Sequence, residues 1–440
     1  MLKNEAQLRS RNLYLNRLIA FQDTEPVKII TGIRRCGKSS LMKLMAQHLR
    51  QNGITNEQII EINCESMKYR GMCAEDLYRN VKELLPVSKR AYLFLDEVQR
   101  IGQWQDAVNS IRVDFNCDIY VTGSNAYLLS SEYATYLAGR SVEIKMLPLS
   151  FSEFLDFHGY TVRKTTSPSG YTRMRVIDTA NESYEPSELL EVYLKFGGMP
   201  GLADVGLDMD KALTLLDGVY STVVVRDILE RDRRRDQRVI TDAYLLRKII
   251  MFLADNIGNS TSITSISNTL MNEKLLNDNN RKGKPAVQTI QAYVGALLES
   301  FVFYEIKRFD IKGKEYLRTL GKYYIVDIGL RNYLLGFRDI DTGYIIENIV
   351  YFELLRRGYF VAIGKVGERE VDFIATNARE KRYIQVTESM NDPHTREREL
   401  APLRKIRDNY EKLVIARNCD NLATIDGIKL ITLTDFLLDD

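Results

Sequence analysis

The chain has 440 residues and a formal net charge of +2; 45% of its residues are hydrophobic and 27% are charged. Because this length exceeds one typical core, we expect two to four domains with the composition of an ordinary soluble protein. No apolar run approaches the length of a membrane span, so we expect a cytoplasmic protein without a membrane partner. The five cysteines form no C-x-x-C pair and the three histidines lie far apart in sequence. We therefore expect no disulfide framework, zinc site or histidine-based metal site.

The first element with a specific pattern is a short β-branched strand that runs into a glycine-rich loop and then a helix. The strand is Val27–Ile30, and the loop has the spacing G-x-x-x-x-G-K-S from Gly32 to Ser39. The glycines let backbone N–H groups surround the β-phosphate, Lys38 reaches the β- and γ-phosphate oxygens, and the Ser39 hydroxyl binds Mg²⁺. The pattern therefore predicts a P-loop with ATP and Mg²⁺ as its ligands.

The residues predicted to contact the nucleotide lie in this loop and in the first turn of the helix that follows. They are Gly32, Arg35, Gly37, Lys38, Ser39 and Ser40. Arg34 and Arg35 both lie within the loop and compete for contact with the phosphates. A glycine-rich turn before a basic helix is the alternative interpretation of these residues.

A second apolar strand, Ala91–Leu95, ends in two acids, Asp96 and Glu97. This is the Walker B pattern, in which an acid at the carboxyl edge of a parallel strand holds the hydration shell of Mg²⁺ opposite the P-loop. We assign that role to Asp96 and expect Glu97 to polarise the attacking water. The alternative is a strand that simply ends in solvated acids.

Five segments of the chain together resemble a known group of proteins. The segments are Gly32–Ser39, Leu95–Gln99, Gly123–Ala126, Leu137–Arg140 and Pro148–Phe151. They are similar to the prokaryotic AAA-type ATPases that carry a C-terminal domain of unknown function. The resemblance covers nearly the whole chain and implies an AAA+ core, a helical lid, a winged helix and a degenerate nuclease-like end.

The resemblance also implies further catalytic residues. After the strand Asp118–Val121, a polar residue is expected to contact the γ-phosphate and the water; Asn125 is the first choice and Ser124 the second. An arginine of one AAA+ subunit often completes the site of its neighbour, and Arg140 lies where such a finger could sit. Arg140 could instead form a surface pair at a helix end. Arg226, in the predicted lid, could reach the γ-phosphate or pair within its own helix.

The expected fold class is α/β, with a P-loop AAA+ parallel-sheet core followed by a helical lid, a winged helix and a C-terminal α/β nuclease-like domain. Helical periodicity, glycine-rich stops and a stretch rich in Thr, Ser, Gly and Pro set the boundaries. The predicted domains are the AAA+ core at 1–160, an insertion loop at 161–184, the helical lid at 185–240, the winged helix at 241–335 and the degenerate nuclease-like domain at 341–440.

The predicted winged helix carries the candidate DNA contacts. Residues 231–330 hold more Lys and Arg than Asp and Glu, which hints at a polyanionic partner. Polar residues near the start of the helix that begins at Val287 match a recognition helix, and basic residues of a following hairpin would reach phosphates. These candidates are Lys284, Gln288, Thr289, Gln291, Lys312, Lys314 and Arg318. The alternative is that the winged helix packs against protein.

Near the C-terminus, Glu347, Asp372 and Gln385 resemble a restriction-endonuclease-like core. That core needs an acid on a helix, an acid at a strand start and an acid-x-lysine on the next strand. Here the last element is Gln385-Val386-Thr387, so a glutamine replaces the metal-binding acid and the lysine is absent. Metal-dependent strand cleavage is therefore predicted to be lost, and a non-cleaving module that binds nucleic acid or another subunit is expected.

These features predict an oligomeric, ring-type AAA+ ATPase in which ATP hydrolysis moves the lid and the winged helix. Those motions would remodel DNA or drive translocation along it, for example on a branched recombination or replication intermediate. The alternative is a signalling or defence switch, in which ATP changes the assembly state and the winged helix and C-terminal domain bind protein. A protein-remodelling ring ranks last because the sequence has no identifiable aromatic pore loop.

Overall fold

The computed structural model describes residues 8–124, 139–166, 172–223, 228–229, 240, 242–272, 286–311, 313, 315–338, 342–419 and 424–439. The chain divides into two compact units, one formed by residues 1–148 with 299–301 and the other by 149–298 with 302–440. None of the helices in the described part of the chain combines the length and the apolar character that crossing a membrane requires.

In the described part of the first unit, five strands form a parallel sheet. They are β1 Val27–Thr31, β2 Ile59–Asn63, β3 Ala91–Asp96, β4 Cys117–Gly123 and β5 Ser141–Lys145. Their spatial order is β2-β3-β4-β1-β5, and neighbouring strands are parallel. The helices are α1 Asn12–Ala20, α2 Lys38–Gln51, α3 Ala74–Leu84 and α4 Trp104–Asp114.

The central strands of this sheet are buried on both faces. All five side chains of β1 are buried, and those of β3 and β4 are buried except for the half-buried Asp96 and Cys117. Strands covered on both faces have continuous apolar sequences rather than alternating ones. Leu93, Val121 and Trp104 of α4 belong to one apolar core. The parallel-sheet α/β core predicted from the sequence is thereby confirmed.

The second unit combines a large mixed sheet, a small sheet and a set of helices. The strands of its described part are β6 Thr161–Thr166, β7 Thr172–Ile177, β8 Ser183–Tyr184, β9 Phe303–Asp310, β10 Glu315–Ile325, β11 Phe360–Val366, β12 Arg369–Thr376, β13 Lys381–Ser389, β14 Glu411–Asn418, β15 Thr424–Ile425 and β16 Ile428–Thr432. The helices are α5 Phe151–Phe157, α6 Pro186–Phe196, α7 Leu202–Val205, α8 Met209–Thr222, α9 Ala243–Asp255, α10 Ile263–Asn272, α11 Val287–Glu299, α12 Ile328–Leu335, α13 Thr342–Arg356, α14 Pro393–Arg404 and α15 Leu433–Leu438. The large sheet has the order β10-β9-β11-β12-β13-β14-β16-β15, and β6, β7 and β8 form the small one.

The predicted winged helix and the predicted C-terminal domain share this large sheet and are not separate. The hairpin β9–β10 is antiparallel, and β9 also pairs in parallel with β11, with Arg308 opposite Ile363. An unpaired edge of β9 would leave a row of N–H and C=O groups without partners. Pairing with β11 removes that edge, but the two strands lie too far apart in sequence for a local pattern to indicate it.

Two other predicted boundaries also differ from the structure. The first unit ends at Pro148 and α5 belongs to the second unit, whereas the predicted core extends to residue 160. The predicted insertion loop, 161–184, contains the antiparallel strands β6, β7 and β8, and residues 167–171 lie outside the described part. Thr, Val and Ile are enriched in strands, but the Ser, Gly and Pro residues of the stretch between these strands favoured a loop.

In the second unit, two backbone segments approach closely around Asp327. A Cβ atom on Gly329 would lie 1.9 Å from the carbonyl oxygen of Phe196, so only glycine fits there. The Asp327 carboxylate accepts hydrogen bonds from the Gly198 N–H at 2.7 Å and the Leu330 N–H at 2.9 Å. Burial nevertheless raises the pKa of Asp327 to about 6.

Candidate nucleotide-binding site

The loop between β1 and α2 has a backbone that requires glycine at two positions. Gly32 has φ +141°, and a Cβ atom there would lie 2.1 Å from the carbonyl oxygen of Met146. Gly37 has φ +102° and immediately precedes α2. The loop therefore delivers the first N–H groups of α2 to its concave side, where helix geometry favours an anion such as a phosphate.

Lys38 is held in the loop by backbone carbonyl groups. Its Nζ donates hydrogen bonds to the carbonyl oxygens of Gly32 at 2.8 Å and Ile33 at 3.0 Å, and the residue is only 5% exposed. Ser39 and Ser40 follow in the first turn of α2 and are exposed. The ammonium group is thus positioned inside the loop, and the Ser39 hydroxyl is accessible to a ligand.

The two Walker B acids are joined by a residue that sequence reasoning missed. Asp96 ends β3, and its carboxylate accepts a hydrogen bond from the Thr122 hydroxyl of neighbouring β4. The same Thr122 oxygen accepts a hydrogen bond from the Glu97 N–H at 2.9 Å. Thr122 is fully buried, so both bonds are shielded from water. The polar sequence Thr-Gly-Ser at the end of β4 could have indicated a residue near the Walker B acids. Only the pairing of β3 with β4, however, identifies Thr122 as the residue that contacts both acids.

Glu97 has a constrained backbone and two side-chain partners. Its φ is +54°, in the left-handed region, which is uncommon outside glycine and frequent at functional sites. Its Oε2 accepts hydrogen bonds from Gln99 Nε2 and, at 3.4 Å, from the Ser124 hydroxyl. Ser124, the second choice as sensor, therefore contacts the predicted water-activating acid directly. Asn125, the first choice, lies outside the described residues.

The two arginines of the loop have different surroundings. Arg34 Nη2 lies 2.8 Å from Glu65 Oε1, and Arg100, just after the Walker B acids, lies 3.3 Å from the same oxygen. Arg35 is exposed and has φ +64°. Sequence reasoning missed Glu65, which forms ion pairs with Arg34 of the P-loop and with Arg100 after the Walker B acids.

Arg11 is a further residue that sequence reasoning missed. It is 3% exposed, and its Nη1 donates hydrogen bonds to the carbonyl oxygens of Cys36 at 3.1 Å and Leu147 at 2.9 Å. Its Nη2 donates to the carbonyl oxygen of Pro148 at 3.3 Å. A buried arginine therefore ties the P-loop to the segment after β5, and its partners are too distant in sequence to be predicted.

Arg140 lies at the other end of the sheet from its own P-loop. Its side chain is exposed, and its carbonyl oxygen accepts a hydrogen bond from the Val27 N–H, at the amino end of β1, at 2.9 Å. The P-loop follows the carboxyl end of β1, and five residues of strand span roughly 16 Å. The backbone of Arg140 is thus far from the phosphate-binding loop of the same chain. Arg226 lies outside the described residues.

The oxygen donors at this edge fit Mg²⁺ bound together with a nucleotide. Mg²⁺ prefers hard oxygen ligands and is usually held by one or two protein groups plus phosphates and water. Ser39 and Asp96 are two such protein groups. In the described ranges, no three His, Cys, Asp or Glu side chains lie close enough together to hold a metal ion by themselves. Cys64, beside Asp96 and Glu97, does not compete, because burial and these acids raise the pKa of its thiol to about 12.

The predicted DNA contacts are only partly described. Gln288 and Gln291 are exposed in the first turns of α11, and Thr289 is half-buried. Lys284, Lys312 and Lys314 lie outside the described residues, as does the side chain of Arg318 in β10. In the same unit, Glu347, Asp372 and Gln385 lie on α13, β12 and β13, respectively.

The chain matches known proteins over nearly its whole length. Residues 24–155 match the family described as "AAA domain", and residues 187–341 match "Domain of unknown function (DUF8612)". An uncharacterised protein of Haemophilus influenzae is 40% identical over 432 residues, which cover 98% of each chain. An uncharacterised protein of Methanocaldococcus jannaschii is 30% identical over 417 residues, or 93% of this chain and 82% of that one.

Among solved structures, a Walker-type ATPase of Pyrococcus abyssi is similar with a TM-score of 0.47 and 17% identity, covering 74% of this chain and 95% of that chain.

The predicted AAA-type ATPase followed by a domain of unknown function is confirmed by the family matches, whereas the nuclease-like end stays a prediction. The chain, which combines an AAA domain with a domain of unknown function, belongs to the same family as the Haemophilus influenzae and Methanocaldococcus jannaschii proteins.

Proposed function

We propose that the protein is an oligomeric, Mg²⁺-dependent ATPase that uses ATP hydrolysis to bind and remodel DNA or to translocate along it. The observation that carries the ATPase part is the arrangement at the carboxyl edge of the parallel sheet. There Lys38 lies inside the loop that follows β1, and Thr122 joins Asp96 to Glu97. A phosphate-binding loop and a paired set of acids at one sheet edge are what phosphoryl transfer to water needs.

Each of these residues has a distinct role in the proposed reaction. The phosphate oxygens of ATP replace the carbonyl groups of Gly32 and Ile33 as acceptors for the Lys38 ammonium. Ser39 and Asp96 would hold Mg²⁺, which when bound neutralises charge on the β- and γ-phosphate oxygens. Glu97 orients the attacking water and accepts its proton.

The position of Arg140 supports assembly of several subunits. Its backbone lies at the amino end of β1, away from the P-loop of its own chain, and its side chain is exposed. An exposed arginine so placed can reach a phosphate of a neighbouring subunit and stabilise charge in the transition state. We therefore infer a ring or another closed homo-oligomer in which Arg140 completes the adjacent site.

The start of α11 supports DNA as the partner. Gln288 and Gln291 are exposed there, and glutamine side chains can donate to and accept from base edges or phosphates. The surrounding segment has an excess of basic residues. Such a surface binds a polyanion through counterion release, which makes its affinity strongly dependent on salt.

The experiment is a fluorescence anisotropy titration against duplex, forked and four-way junction DNA at two salt concentrations, with and without a non-hydrolysable ATP analogue. We expect salt-sensitive binding in the micromolar range or tighter and a several-fold loss in Gln288→Ala/Gln291→Ala. Gln51→Ala, at an exposed glutamine in α2 of the first unit, is the matched control. DNA binding that is absent at low salt would contradict the DNA part of the proposal.

A protein-binding switch is the second candidate, and a specific observation favours it. Val287, adjacent to Gln288, is 39% exposed, and Leu320 of β10 is 40% exposed. Exposed apolar side chains of this size suit a protein partner better than a phosphate backbone. Mass photometry with the ATP analogue, with and without DNA, separates the candidates, since the switch predicts an ATP-dependent change of assembly that DNA does not alter.

A further inference from the structure

A buried lysine lies among the carboxylates of the second unit. Lys322 of β10 is 4% exposed. Its Nζ lies 2.8 Å from Glu347 Oε1 and 2.7 Å from Glu370 Oε1. The Tyr324 hydroxyl donates a hydrogen bond to the same oxygen of Glu347. A charge this deeply buried is tolerated only when it is paired and hydrogen-bonded, and Lys322 satisfies both conditions.

Asp372 belongs to the same cluster. One of its carboxylate oxygens accepts a hydrogen bond from the Val386 N–H at 2.8 Å, and its own N–H donates to Gln385 Oε1 at 3.4 Å. Burial and the neighbouring Glu347 raise the pKa of Asp372 well above its usual range, and the Lys322 charge acts in the opposite direction. The Lys322 ammonium is therefore a cation that acts on Asp372 as well as on its two ion-pair partners, Glu347 and Glu370.

The cluster lies beside an open cavity. The cavity has a volume of about 580 Å³ and is lined by Glu370, Asp372 and Gln385 together with Arg369, His394 and Arg398. Glu370 and Asp372 thus line a cavity that is open to solvent, whereas Glu347 and Lys322 are buried.

The residues present do not fit a divalent metal at this position. In the described part of the chain, no three His, Cys, Asp or Glu side chains are arranged to hold a metal ion. A cation bound to Glu347 would bind a carboxylate whose Oε1 atom already accepts hydrogen bonds from Lys322 Nζ and from the Tyr324 hydroxyl. Two cations within a few ångströms of each other repel strongly in a buried site.

We propose that the Lys322 ammonium is the resident cation of the Glu347, Glu370 and Asp372 cluster and occupies the place that a divalent metal takes in nuclease-like cores. The cluster thus differs from a metal-dependent nuclease site in two ways: the lysine expected after Gln385 is absent, and the Lys322 ammonium lies among the acids. The cavity accordingly takes its ligand without metal, which agrees with a binding module and not with a nuclease.

Mn²⁺ binding tests this inference, with free Mn²⁺ measured by its electron paramagnetic resonance signal in nucleotide-free protein. All variants carry Asp96→Asn so that the ATPase site does not contribute. We expect Asp372→Asn to leave Mn²⁺ binding of this parent protein unchanged. Lys322→Met should gain a Mn²⁺ site with at least ~10-fold higher affinity than the parent, because it frees carboxylate oxygens for a hard cation. Adding Glu347→Gln should remove that site.

Lys365→Met is the matched control, because Lys365 is a half-buried lysine on β11 of the same sheet, and this variant should gain no Mn²⁺ site. Parent protein that binds Mn²⁺ at a site abolished by Asp372→Asn would overturn the proposal, and so would Lys322→Met protein that binds no more than the parent. If Lys322→Met fails to fold, the melting temperature of the double variant Lys322→Met/Glu347→Gln tests the proposal instead. We expect the double variant to fold, because it removes the buried positive charge together with one of the negative charges that it neutralises. A double variant as unfolded as Lys322→Met would contradict the proposal that Lys322 neutralises this cluster.

Discussion

The hydroxyl of Thr122 donates a hydrogen bond to the carboxylate of Asp96 across the β3–β4 pair. Because the same oxygen also accepts a hydrogen bond from the Glu97 N–H, one buried threonine fixes both Asp96, which we propose binds the metal, and the backbone of Glu97, which we propose activates the water. The geometry of the proposed reaction thus depends on a fully buried residue to which we assign no catalytic role of its own.

Thr122→Val tests this positioning role, because valine keeps the shape and removes the hydroxyl. We expect kcat for ATP hydrolysis to fall about 10-fold with little change in ATP affinity, since the acids lose orientation while the P-loop is unchanged. The buried Glu97 N–H loses its acceptor, which costs about 1–3 kcal/mol of unfolding free energy. Steady-state ATPase assays and urea unfolding measure both effects. Thr122→Ser, which keeps the hydroxyl, is the control, and equal rates for Thr122→Val and wild type would exclude the role.

Glu97→Gln tests the assignment of the general base. The variant should still bind ATP, because Lys38 and the loop are intact, but turnover should be at least ~10²-fold slower. Nucleotide binding by filter retention and phosphate release separate the two steps. Glu75→Gln, at an exposed glutamate of α3, should behave as wild type. Hydrolysis at the normal rate in Glu97→Gln would show that another group activates the water.

Arg140 is predicted to act on the neighbouring subunit, and mixing two inactive variants tests this. Arg140→Ala and Lys38→Ala should each be inactive alone. Their mixture should regain part of the ATPase activity, because an intact P-loop in one subunit can pair with the intact arginine of the other. Lys38→Ala mixed with Glu97→Gln is the control, since no subunit there has both an intact P-loop and an intact base. Absence of recovery, or full activity of Arg140→Ala alone, would count against a trans role.

Asp327 gives the stability of the protein a specific pH dependence. Its pKa is about 6 in the folded chain and 3.8 in the unfolded chain, so the folded chain holds the proton more tightly. Its contribution is therefore fully present below about pH 4 and is lost as the pH rises through 6, which corresponds to about 3 kcal/mol. Urea unfolding between pH 4 and 7 should show this decline in wild type and a flatter profile in Asp327→Asn. Identical slopes would show that another group titrates.

Local patterns predict the candidate nucleotide site, and the contacts that they miss come from residues far apart in sequence. Lys38, Ser39, Asp96 and Glu97 lie in contiguous motifs in which strand, loop and helix follow one another. Arg11 was missed because its carbonyl partners lie 25 and 136 residues away. Such a contact leaves no periodic signal.

The second unit shows the same limit for fold and for site. The pairing of β9 with β11 merges two predicted domains into one sheet. That sheet also brings Lys322 of β10 to Glu347 of α13, 25 residues further along the chain. Sequence reasoning found Glu347 and the absence of a lysine two residues after Gln385. A lysine supplied by another strand can be found only from the sheet order.

Equilibrium binding of labelled ATP to wild type and to Lys38→Ala in the presence of Mg²⁺ tests whether the loop after β1 binds the nucleotide. Lys43→Ala, at an exposed lysine of the same helix, is the matched control. We expect saturable binding by wild type and Lys43→Ala and its loss in Lys38→Ala, because the proposed site uses the Lys38 ammonium to contact the phosphates. Wild-type protein that retains no ATP, or Lys38→Ala that binds it as tightly as wild type, would show that this loop is not the nucleotide site.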